Sequence, residues 1–139
     1  MKRAFLIVVA LFVLIQFIQV EKNNPKTNPN LEVKAPKAVM KILKRSCYDC
    51  HSNKTIWPWY SYIAPVSWSV KRHVHDGRRW VNFSIWNKYT KIEKKKKLNK
   101  MYKAVYAAMP IRSYKLIHRN SKLSLKDIQT LRAWIYKLE

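Results

Sequence analysis

The sequence predicts an all-α protein: a small helical domain at residues 36–139, an apolar N-terminal helix at 1–20, and a flexible linker at 21–35 between them. Three observations predict it. Apolar side chains recur at helical spacing, as in Val39, Ile42 and Leu43, and again in Ile128, Leu131, Trp134, Ile135 and Leu138. Two helix starts carry a hydroxyl residue followed three positions later by a carboxylate, Thr90 with Glu93 and Ser124 with Asp127. Little of the chain alternates polar and apolar residues with period two, so no sheet is expected.

At the N-terminus, Lys2 and Arg3 precede Ala4 to Ile15, which contain no polar side chain, and Phe17, Ile18 and Val20 extend the run past Gln16 and Gln19. This is the pattern of a signal sequence or membrane anchor. A helix of about 17 residues spans roughly 26 Å, at the short end of what crosses a bilayer. The exit "FIQVEKNN" offers no small-residue cleavage site, so an uncleaved transmembrane anchor is expected, with a cleaved signal peptide as the alternative. The basic N-terminus is expected to stay in the cytoplasm and the domain to face the periplasm of a bacterial cell. "EKNNPKTNPNLEVKA" is rich in Asn, Pro and Lys and reads as a tether.

Within the domain, Pro36 suits the first turn of a helix whose face is Val39, Ile42, Leu43 and Ser46 and which runs into Cys47. Pro65 opens a second, with Val66, Val70, His73 and Val74 on one side. It is expected to stop at Gly77, the only glycine, because helix C-termini commonly use a left-handed residue. Thr90 opens a third, carrying Ile92, Leu98, Met101, Tyr102 and Val105, and Pro110 ends it. The fourth follows Ser124.

The chemistry concentrates in Cys47-Tyr48-Asp49-Cys50-His51, a C-x-x-C-H string and the attachment signature of c-type haem. Two thiols at this spacing add across the two vinyl groups on one porphyrin edge, and the adjacent imidazole is carried under the ring to bind iron. Other chemistries use such residues. A disulfide between Cys47 and Cys50 gives His51 no role. A thioredoxin-like pair wants a βαβ context that is absent. Zinc held by both cysteines and two of His51, His73, His75 and His118 is the more serious rival, although the later ligands lack finger spacing.

For the second iron ligand Met109 is the best placed. It precedes Pro110, is pushed away from helical geometry and falls in a loop beyond the third helix, whereas Met40 and Met101 occupy helical positions. His73 is the bis-histidine alternative, and an empty sixth position would suit a sensor or peroxidase. Trp57, Trp59, Tyr60 and Trp68 crowd behind the motif and are expected to form an apolar wall around the porphyrin and to donate to its propionates. Arg78 and Arg79 are further propionate candidates.

The charge bears on partners. With 29 Lys+Arg against 7 Asp+Glu the net charge is +22, which calls for an anionic partner. The expected extracytoplasmic domain makes nucleic acid an improbable one. An acidic redox protein, steered by Lys94 to Lys97, and anionic lipid near the anchor remain.

The pieces "CYDCHSN", "WPWYSYIAPVSW", "HVHDGRRWVNFSIW", "AMPIRSYKLIHRNSKLS" and "LRAWI", in this order, resemble the small haem-binding domain family of c-type cytochromes in bacterial envelope proteins, over roughly residues 36–138. The resemblance implies a cytochrome c-like helical fold, covalent haem c on Cys47 and Cys50, His51 as proximal ligand and Met109 as distal ligand. The basicity departs from that pattern. The expected function is single-electron transfer by a monohaem cytochrome, not an enzyme and with no catalytic residues; a haem-based sensor or a zinc-binding structural domain are the alternatives.

Overall fold

The computed structural model describes residues 1–138, in which all regular structure is helical. The helices are α1 (Lys2–Ile15), α2 (Lys37–Ser46), α3 (Tyr48–His51), α4 (Val66–Trp80), α5 (Lys91–Ala107), α6 (Arg112–Ile117) and α7 (Leu125–Leu138). Short 3-10 turns lie at Pro29–Leu31, Trp59–Tyr62, Phe83–Lys88 and Arg119–Ser121.

The core forms where the amphipathic faces meet. The buried residues of α2 are Val39, Ile42, Leu43 and Ser46, the face its periodicity marks out. Leu131, Trp134 and Ile135 of α7, Leu98 of α5, and Phe83 and Trp86 from the turn after α4 complete it. α3 packs on α4, α5 on α7, and α2 bridges α3 and α7. Both expected capping boxes form: the Thr90 hydroxyl accepts from the Glu93 N–H at 3.2 Å, and the Ser124 hydroxyl from the Asp127 N–H at 3.1 Å. Asp127 also accepts from Arg45 at 2.8 Å, tying α7 to α2.

Four expectations need correction. α1 ends at Ile15, where Gln16 turns its amide back to the Phe12 carbonyl at 2.9 Å. Its 14 residues make a helix about 21 Å long, and no helix among the described residues is long and apolar enough to cross a membrane. Residues 21–35 are laid against the domain and are no free tether. Val33 is buried and donates its N–H to Phe83 O at 2.8 Å, and Glu32 accepts from both Tyr48 and Lys54. Ile92 of α5 points to solvent, because the four-lysine run leaves that first turn no core to face.

The fourth correction concerns Gly77. It does not end α4, which continues to Trp80, and none of the described residues has positive φ. The constraint is space. A Cβ added at Gly77 would lie 2.9 Å from the Cys50 carbonyl carbon and 3.1 Å from Cys50 Cβ, and closer still to the Cys50 carbonyl oxygen. The backbone atoms in the way belong to a helix that cannot yield locally, so glycine is what lets α3 seat on α4.

Gly77→Ala is therefore expected to lower stability by about 2 kcal/mol through overpacking, read from the urea midpoint of the haem-loaded protein. A second outcome follows from Asp127. Burial on its own raises this carboxyl, but hydrogen bonds from the Ser124 N–H, Arg45 and the Ser124 hydroxyl outweigh it and hold it below the ordinary value. A carboxyl held low in the folded state contributes stability that is present at neutral pH and is lost as pH falls through its folded value. Asp127→Ala should cost about 1 kcal/mol at pH 7, and its gap from the wild type should narrow on acidification below the ordinary carboxylate range.

Candidate cofactor site

The site begins at the break between α2 and α3. Cys47 leaves helical geometry at φ −129° and ψ −34°, and its carbonyl accepts the N–H groups of Cys50 at 3.2 Å and His51 at 2.9 Å. This single turn puts Cys47, Cys50 and His51 on the wall of one cavity of about 400 Å³. α4 and the residues after it supply Gly77, Val81 and Phe83 to the same side. Across it stand Met101, Ala104 and Val105 of α5, then Met109, Pro110, Ile111 and Tyr114. The lining is largely apolar, as a site that holds a flat hydrophobic group requires.

His51 is oriented by backbone alone. Its Nδ1 lies 3.0 Å from Gly77 O and 3.2 Å from Val81 O. Carbonyls only accept, so the proton sits on Nδ1 and Nε2 keeps its lone pair. Burial lowers the His51 pKa, and the two carbonyl hydrogen bonds offset this only in part. The ring is therefore neutral and fit to bind a metal through Nε2.

Both cysteines are free thiols. Burial, reinforced by Cys50 and opposed by Arg45, pushes Cys47 up to about 12. Burial and then the Asp49 carboxylate push Cys50 up to about 11, against Arg78. A thioredoxin-like pair needs one thiol lowered, and here both are raised. A zinc site needs third and fourth donors, and among the described residues no group of three or more His, Cys, Asp or Glu comes together as one.

Met109 is where its position before Pro110 suggests, in the loop after α5 with its N–H on Ala104 O at 2.8 Å. It is 38% exposed and lines the same cavity as the motif. The next element returns to the attachment turn. Tyr114 of α6 donates its hydroxyl to Asp49 Oδ2 at 2.6 Å, while Asp49 Oδ1 accepts the Ile56 N–H at 3.1 Å. Burial, then the Asp49 hydrogen bond and charge, raise the Tyr114 pKa, so it remains a phenol donor. Asp49, one of the two residues between the cysteines, thus ties down α6, the element that follows Met109.

The aromatic wall is not the expected one. Trp57, Trp59, Tyr60 and Trp68 do not line this cavity; Phe83, Trp80, Val81 and Tyr114 do. Trp59 is exposed, Trp68 Nε1 donates to Ile18 O at 2.9 Å, and the Tyr60 hydroxyl lies 2.7 Å from His118 Nε2. His118 stacks on Tyr114 with ring centres 4.3 Å apart. His73 reaches the cavity rim, and His75 is exposed beside Asp76. Arg78 donates to Ser52 O, Asn23 O, Asn24 Oδ1 and Thr55 Oγ1, and neither it nor Arg79 lines the cavity. The cations that do are Lys97 and Lys100. Their positions one turn apart on α5 were the available sign, hidden in a lysine-rich run.

A family model described as a haem-binding domain matches residues 10–137. The chain belongs to the haem-binding domain family. No curated protein and no solved structure matches it. Haem is accordingly the cofactor, and the donor set fits it: two thiols and a preoriented neutral imidazole on one wall, a thioether on the other. Tyr114→Phe should loosen the Met109 loop from α3. The haem-loaded variant is expected to bind added imidazole roughly tenfold more tightly, for a hydrogen bond to a charged group contributing about 1.5 kcal/mol, read by optical titration.

Proposed function

We propose that the chain is a monohaem c-type cytochrome that carries single electrons at the outer face of a bacterial cytoplasmic membrane. The observation that supports this best is the cavity built between the C-x-x-C-H turn and Met109. In this reading Cys47 and Cys50 would hold the porphyrin through thioethers, and His51 Nε2 and the Met109 sulfur would hold its iron. Bound haem supplies an iron that alternates between ferric and ferrous states. The chain's residues do the rest. Gly77 O and Val81 O fix the imidazole, Phe83, Val81 and Val105 exclude water, and Lys97 and Lys100 place positive charge at the rim, where propionates would meet it. Lys97 is held there by donating to Trp80 O at 2.6 Å, and Lys100 lies over the Trp80 ring at 4.6 Å.

The partner in this reading is an acidic redox protein. Two lysines of α5, Lys97 and Lys100, line the cavity, so they would steer such a protein to the edge where the electron leaves, with weak, salt-sensitive docking. The membrane assignment rests on α1, whose apolar side chains are exposed all round. A second reading is favoured by the loop position and partial exposure of Met109: a haem-based sensor in which that ligand gives way to a small molecule.

Acid–acetone extraction of protein matured in cells able to attach haem c should leave the pyridine haemochrome spectrum with the polypeptide. Cys47→Ser with Cys50→Ser should lose it to the solvent. Met109→Ala should abolish the far-red ferric band of methionine ligation; persistence of that band would remove Met109 from the site. Tight carbon monoxide binding by the reduced wild type would favour the sensor.

A further inference from the structure

The side of the domain on which α1 ends carries an unusual concentration of exposed apolar and aromatic residues. Ile56 is 78% exposed, Trp59 73%, Leu116 69% and Ile117 59%, with Tyr62 and Val66 also exposed. They are neighbours in space: Ile56, Val66 and Ile117 line one shallow hollow of about 130 Å³, and Trp59 packs edge-on against Tyr60 of the same hollow at 5.8 Å. Soluble monomers rarely leave so much contiguous apolar surface uncovered.

The end of α1 is clasped to this region. Gln16 pairs with both backbone groups of Ala64, its Nε2 donating to Ala64 O at 3.1 Å and its Oε1 accepting the Ala64 N–H at 2.9 Å. Trp68 donates to Ile18 O at 2.9 Å, and the Lys22 ammonium sits 4.2 Å from the centre of the Tyr62 ring. Arg78 then fastens Asn23 and Asn24. The chain leaving the apolar helix is therefore joined to the domain at successive points, and the exposed patch adjoins that joint.

We infer that this face is a bilayer-docking surface, seating Ile56, Trp59, Tyr62, Leu116 and Ile117 in the headgroup region beside α1. The inference rests on the membrane reading of α1 above. Three observations select lipid as the occupant. The patch is continuous with a helix whose apolar side chains nothing in the chain covers. Its Trp and Tyr combine an apolar ring with a polar tip, the pairing suited to the membrane–water boundary. Lys22 at Tyr62, and Lys115 and Arg119 on either side of Leu116 and Ile117 in the chain, provide cations for anionic headgroups. The domain thus lies on the membrane in one orientation, with α1 and the patch as two contacts of a single rigid body.

The test uses the full haem-loaded chain in vesicles of phosphatidylcholine and phosphatidylglycerol. Single cysteines are encoded as Ile56→Cys, Ile117→Cys, Phe12→Cys and Lys96→Cys, and each is labelled with an environment-sensitive fluorophore after haem attachment. Quenching is compared with and without doxyl-labelled lipid. Positions 12, 56 and 117 are expected to lose at least half of their emission to the doxyl lipid, and position 96 to lose none. Quenching at 12 alone would overturn the docking surface while leaving the membrane reading intact. No quenching at any position would remove both. Equal quenching at 96 would overturn the assignment of this face. Fluorophores at 56 and 117 that are shielded from water but untouched by doxyl lipid, with cross-linking between copies, would make the patch a protein interface instead.

Discussion

The close contact between Gly77 and Cys50 is the constraint on which the rest of the site depends. Because residue 77 has no side chain, α4 approaches the attachment turn until its carbonyls reach the imidazole of His51. The same approach that brings Gly77 O within 3.0 Å also brings Val81 O within 3.2 Å, since Val81 directly follows α4 and its own N–H is bonded back to Gly77 O at 3.0 Å. Two acceptors on one nitrogen decide the tautomer and the plane of the ring together. Nothing in that orientation requires a carboxylate partner, so the imidazole is held by neutral backbone acceptors alone. Backbone orientation also couples His51 to α4 as a whole: displacing the helix displaces the ligand.

The opposite wall is held less firmly. Met109 follows the C-terminus of α5 and is tied to it by one backbone hydrogen bond, and beyond Pro110 the chain is secured to α3 through Tyr114 and Asp49. A carboxylate accepting from a phenol at 2.6 Å and from a backbone amide at 3.1 Å is a strong local tie. It reaches α3 at Asp49, directly before the second cysteine. Both α4 and α6 are therefore fitted to one four-residue helix, α4 through the contact of Gly77 with Cys50 and α6 through the bond of Tyr114 to Asp49. This explains how a domain with few long helices can hold a cavity open between them.

Much of the fold was legible because it rests on local rules. The faces of α2 and α7 follow from 3.6-residue periodicity, and the starts of α5 and α7 from reciprocal capping. The break at Cys47 and the loop position of Met109 were legible because spacing and a following proline are properties of the chain itself. The aromatic wall was not. Proximity in sequence to Cys50 suggested Trp57 and Trp59, but after His51 the chain leaves the cavity to pass beneath the end of α1. The wall is built instead by residues that α4 and α6 bring back from farther along, Phe83 and Tyr114. Gly77 was singled out for the wrong reason, since a glycine required by a neighbouring helix looks the same in sequence as one required by a left-handed turn. The linker misled in a similar way. Asn and Pro are common in mobile chain, yet here Asn24 and Glu32 serve as hydrogen-bonding partners for Arg78, Tyr48 and Lys54.

Those linker contacts bear on how the charge is used. Residues 23 and 24 are fastened by the Arg78 guanidinium, and Arg78 also holds Ser52 and Thr55 beyond the attachment turn. One side chain thus fixes the course of the leading segment relative to the cofactor turn. A freely tethered domain would present its lysines in all directions, and its positive charge would act mainly as a general attraction to anionic surfaces. In a domain with a fixed exit for its N-terminal segment, the lysines of α5 keep one direction relative to α1, and their field is a property of a particular face. Since screening confines charge effects to about 8–10 Å at ordinary ionic strength, cations beside the cavity, Lys97 and Lys100 among them, count for more within it than the net charge of +22. The rest of the basic surface is left to govern where the domain sits and what approaches it.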